Sequence, residues 1–185
     1  MSTIAAPGRS APTSRHVPSL TPRRELQIFL VIVLAPWLEH LAQACEIYVL
    51  GMETREARGG LGLLWPWLVS SEAMQYGYAF VVLVGLFYLR KHFDGAGARW
   101  WTAALVLQVW HHLEHQLLLG QAVLSQPLFD ASEPTSFLQL VIPRSKLHLF
   151  YNAAVFAPML VAMYLRHRQT RAAEPEARHL PAAEA

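Results

Sequence analysis

The chain has 185 residues, of which 54% are hydrophobic and only 15% charged, against about 45–50% and about 25% in a soluble globular domain. The charges crowd into the two ends and a few connectors. This excludes disorder for the middle of the chain and an ordinary water-soluble fold, and it predicts a polytopic membrane protein. A net charge of +2 is too small to suggest a nucleic-acid partner, and the lone Cys45 excludes an intramolecular disulfide and a cysteine-rich zinc motif.

Residues 1–22 are rich in Pro, Ser, Thr and Arg and carry no acid. Such a segment buries too little apolar surface to offset its ordering entropy, so it reads as a disordered tail. It lacks the pattern of a signal peptide. Residues 23–167 hold the membrane domain, and residues 168–185 read as a second disordered tail. Within the domain, four stretches reach the roughly 20 apolar residues that a bilayer-crossing helix needs. They run from Leu26 to about Gly51, from about Val69 to Leu89, from Trp100 to about Leu124, and from about Leu147 to Leu165.

The expected fold is an all-α integral membrane protein, a four-transmembrane-helix bundle. Eleven Lys and Arg lie before the first span, between the second and third, and after the fourth, against four on the other side. The positive-inside rule then places both termini in the cytoplasm and the chain in the cell inner membrane. Residues 125–145 form a long outer connection with the apolar run Phe137–Ile142, expected as a re-entrant or interfacial cover. Pro36, inside the first span, frees the carbonyl of Ile32 and should kink the helix.

Ionisable residues inside a bilayer are costly and mark function by default. At 100° per residue, Glu39, Gln43 and Glu46 share a face of the first span, with His40 beside it. Glu72, Gln75 and Tyr76 align in the second span. Gln108, His111, His112 and His115 share an arc of the third, flanked by Glu114, and His148, Tyr151 and Asn152 align in the fourth. With the helices alternating in direction, all four stripes fall in the outer half of the membrane.

Four bare carboxylates cannot persist in a low-dielectric core, so they must be protonated, paired with imidazolium or neutralised by a metal cation. Neutral imidazole and carboxylate suit iron, copper, zinc or manganese. The expected metal ligands are therefore Glu39, His40, Glu46, Glu72, His111, His112, Glu114, His115 and His148. A b-type haem held by His40 or His148 and a histidine of the third span is an alternative cofactor. The five residues His111-x-x-Glu114-His115 also match the zinc pattern H-x-x-E-H, without the fold that pattern needs around it.

Three functional classes stay open. One is a metal-dependent oxidoreductase acting on a small or lipophilic substrate. The second is a proton- or ion-conducting protein. The third is a non-enzymatic accessory subunit in which the polar cluster holds helices together. Membrane lipids are the expected surroundings, with a homo-oligomer or larger complex as assembly.

Overall fold

The computed structural model describes the backbone of residues 22–54 and 56–178 and the side chains of residues 23–54 and 56–172. The described chain is all-helical. Its helices are α1 (Pro22–Tyr48), α2 (Gly59–Leu64), α3 (Pro66–Ser70), α4 (Glu72–Leu89), α5 (Gly95–Leu124) and α6 (Arg144–Arg178). Single 3-10 turns follow α4 at Arg90–His92 and precede α6 at Leu138–Leu140. The segment 1–21 and residues 179–185, read above as parts of the tails, lie outside the described residues. Helix α6 continues to Arg178, past the domain boundary placed at 167.

Among the described residues, three helical segments are long and apolar enough to cross a membrane: Arg23–Tyr48, Glu72–His92 and Arg144–Ala172. The sequence reading expected four. The odd one out is α5, which has 30 residues, a length of about 45 Å at 1.5 Å per residue. Its apolar residues Val106, Leu107, Val109, Trp110 and Leu113 are exposed, whereas Gln108, His111, His112, His115 and Gln121 are buried. The helix is inside-out by the standards of a soluble protein, and its inward polar face lowers its mean hydropathy.

The four long helices pack as a closed set, α1 on α4 and α6, and α5 on α4 and α6. One end of this interior is apolar. There Trp101 and Leu86 are fully buried, the Trp101 indole N–H donates to the Leu86 carbonyl at 2.7 Å, and Phe93 stacks on Trp101 at 4.2 Å between centroids. Phe29 of α1 lies directly over Gly85 of α4, where an added Cβ would fall 2.2 Å from the ring. The helices touch here because α4 has no side chain at that point.

Helix α1 continues through Pro36. The Ile32 carbonyl that the proline leaves without its helical partner accepts a hydrogen bond from the Tyr78 hydroxyl of α4 at 2.8 Å. A break in one helix thus becomes a link to the next, as buried backbone oxygens require in the absence of water.

Candidate functional site: a histidine cluster beneath a polar cavity

At the other end of the interior the buried residues are polar. Helix α5 carries His111 and His115 one turn apart, so both imidazoles reach the same side, with their Nε2 atoms 3.2 Å apart. Helix α6 brings His148 against both: ring centroids are 6.0 Å apart for His111–His148, 5.2 Å for His115–His148 and 4.6 Å for His111–His115. From α1, His40 meets His148 at 5.6 Å and is oriented by Gln43, whose side-chain oxygen lies 2.9 Å from its Nδ1. His111, His115 and His148 are buried and His40 nearly so. The Nδ1 atoms of His111 and His115 are buried without a hydrogen-bond partner.

The carboxylates expected beside these rings are engaged elsewhere. Glu39 accepts the Leu61 N–H and the Gly62 N–H, each at 2.9 Å, one on each oxygen. Glu46 accepts the Gly59 N–H at 2.8 Å. Both therefore hold the first turn of α2, whose unpaired amides and positive dipole end favour an anion. Gly59 has φ +67°, and a Cβ there would sit 2.5 Å from a Glu39 oxygen, so the contact needs glycine twice over. Glu72 pairs with Arg144 of α6. Glu114 lies beside Tyr151 and Ser136, and Tyr151 accepts the Trp110 indole N–H at 2.7 Å. His112 turns away toward Tyr76 and Phe80, at 4.9 and 5.7 Å between centroids.

The nine expected ligands are thus divided, four histidines in contact and the rest dispersed. Among the described residues, no group of three or more His, Cys, Asp and Glu side chains has its donor atoms gathered as a metal ion requires. The sequence reading expected the carboxylates to be protonated, paired with imidazolium or neutralised by a metal, and three of them have other partners. Backbone amides engage Glu39 and Glu46, and Arg144 pairs with one oxygen of Glu72. The sequence reading sought positive side chains within the spans and missed α2, whose only signal is the glycine-rich run Gly59-Gly60-Leu61-Gly62.

A cavity of about 420 Å³ opens beside the cluster, with His40 and His148 in its wall together with Gln43, Gln75 and Arg144. The expected outer cover, residues 125–145, is tied down by Gln121. Its side-chain oxygen accepts the Leu128 and Thr135 N–H groups and its amide donates to the Thr135 carbonyl, at 2.9, 3.1 and 3.0 Å. Phe137, Leu140 and Val141 of this connection are exposed.

The chain matches no family model, no curated protein and no solved structure. Function rests on the geometry alone.

Proposed function

We propose that the chain is a four-span membrane protein with both termini cytoplasmic, and that His111, His115 and His148 bind one transition metal in its outer half. His40 stands as a fourth ligand on the cavity side. The observation that carries this reading is the mutual spacing of the three rings. With metal–nitrogen bonds of about 2.0–2.1 Å, imidazoles arranged tetrahedrally around one ion have centroids about 5.2 Å apart. The three observed separations of 4.6, 5.2 and 6.0 Å bracket that value. The 3.2 Å between the His111 and His115 Nε2 atoms is close to the nitrogen–nitrogen edge of such a site, about 3.3 Å by the same arithmetic. Histidine χ2 is a soft torsion, and the assignment requires the His148 ring to rotate about it to bring its nitrogen to the same point.

An all-imidazole set suits zinc, copper or iron. The metal would supply Lewis-acid or redox chemistry. The protein's own part is to hold three neutral rings in a dry interior and to leave the side toward His40 and the cavity open to a small molecule. That open side favours a metal-dependent oxidoreductase over a closed structural site. The same spacing disfavours haem, because rings in mutual contact leave no slot for a macrocycle.

Protein purified in detergent should carry about one equivalent of zinc, copper or iron by elemental analysis, with no Soret band. His111→Ala, His115→Ala and His148→Ala should each lose most of it while remaining folded, and Glu39→Gln should keep it. A wild-type protein that neither retains nor takes up metal, or full occupancy in the His111→Ala/His115→Ala double variant, would overturn the assignment. Weight would then pass to a proton path, which the contact run Glu114, Tyr151, His111, His148, His40 favours. For the topology, an alkaline phosphatase fusion after residue 130 should be active and one after residue 95 inactive.

A further inference from the structure

The cavity beside the histidines has a chemistry of its own. Its described lining contains no aspartate or glutamate, but does contain Arg144 and the exposed Arg58. Its two side-chain amide oxygens are already engaged: Gln43 Oε1 faces His40 Nδ1, and Gln75 Oε1 accepts from Arg144 at 3.0 Å. The amide of Gln43 and the hydroxyl of Ser145 remain as donors in the same wall. Arg144 and Ser145 are the first two residues of α6, whose first-turn N–H groups and positive dipole end add to the field there.

Arg144 is held by Gln75 from within this wall and by Glu72 from outside it. Glu72, its ion-pair partner at 2.5 Å, lines a neighbouring cavity and not this one. Both protein bonds of Arg144 to Glu72 and Gln75 run through Nη2. A guanidinium presents five N–H donors in a rigid fork, so fixing one nitrogen orients the others for a planar, two-oxygen ligand. The volume of about 420 Å³ lies at the small end of the usual 300–1,000 Å³ range for ligand pockets.

We infer that this cavity binds a small oxyanion, a carboxylate or phosphate group, on Arg144 beside the histidine cluster. The inference stands with or without a metal at the histidines, since the donors it uses are not the proposed metal ligands. The anion comes either from a soluble molecule or from a lipid headgroup entering from the outer leaflet.

The test titrates the detergent-purified protein with inorganic phosphate and, separately, acetate, following the melting temperature and the heat of binding at constant ionic strength. At least one anion should raise the melting temperature and bind saturably. Arg144→Lys keeps the charge and the pairing to Glu72 but loses the fork, and should weaken binding about tenfold or more. Arg144→Gln alone strands the Glu72 carboxylate, so the charge-free variant is Glu72→Gln/Arg144→Gln, which should abolish binding. No saturable binding of either anion to the wild type, or undiminished binding in both Arg144 variants, would overturn the inference.

Repeating the titration in mixed micelles with phosphatidylglycerol separates the sources. Competition by the lipid assigns the site to a headgroup, and its absence to a soluble anion. Chelator-treated protein and the His111→Ala/His115→Ala variant should bind the anion as the wild type does. The metal assignment can therefore fail without this one, and the reverse.

Discussion

The two ends of the helical interior are built on opposite principles. At the end formed by Phe29, Leu86, Phe93 and Trp101, the indole N–H of Trp101 reaches a carbonyl, the Phe29 ring fills the space over Gly85, and the nearby unpartnered buried atom is Arg166 Nε. At the other end, His111, His112 and His115 each bury an Nδ1 with no partner, and Glu72 and Glu114 each bury an oxygen likewise. Buried unsatisfied polar atoms cost about 1–3 kcal/mol each, and membranes supply no water to relieve them. The unpartnered polar atoms thus concentrate at the histidine end, which contributes less to stability than the apolar end.

The sharpest way to break this contrast is to exchange its consequences. Trp101→Ala empties a fully buried site and removes an interhelical hydrogen bond, so it should cost about 3–5 kcal/mol and lower the melting temperature in detergent by many degrees. His111→Leu/His115→Leu, measured on metal-free protein, should leave the melting temperature unchanged or raise it, because two unpartnered nitrogens give way to apolar groups of similar volume. A double leucine variant as damaged as Trp101→Ala would show that the histidines are helix glue.

An intermediate effect belongs to Glu39, which is polar yet structural. Glu39→Ala removes two acceptors from the first turn of α2 and should cost about 1–3 kcal/mol. Hydrogen exchange should quicken at Leu61 and Gly62 before it does in α4 or α5. Exchange unchanged at those two amides would sink the capping role. The smallest effect is Tyr78→Phe, which deletes one bond to the Ile32 carbonyl. It should cost about 0.6 kcal/mol, the average for interhelical hydrogen bonds within membranes. A loss of several kcal/mol there would mean that the Pro36 break is a weak point of α1.

Hydrophobic length made α1, α4 and α6 legible in the chain before any coordinates, and helical spacing put His111, His115 and His148 on converging faces. The consequence of Pro36 was equally legible, since a missing N–H at a known position leaves one named carbonyl. What stayed hidden was local backbone geometry. The periodicity that separates faces of a long helix says nothing about a six-residue helix such as α2. Without α2, Glu39 and Glu46 look like bare charges in search of a metal. Arg144 was visible only as a residue bordering the fourth span, because its partner Glu72 lies 72 positions away in sequence.

The pairing of Glu39 and Glu46 with α2 also bears on how such a chain is made. Their backbone partners lie 13 to 23 residues further along, so α1 and the segment that follows it can satisfy both carboxylates as soon as residue 62 has been synthesised. The histidine cluster must wait until His148 arrives. Assembly thereby separates into an early step, in which the acids of the first helix are capped by adjacent chain, and a late step in which α6 brings His148 to His111 and His115. A nascent chain ending after α3 already contains every backbone partner that the two glutamates have in the finished fold.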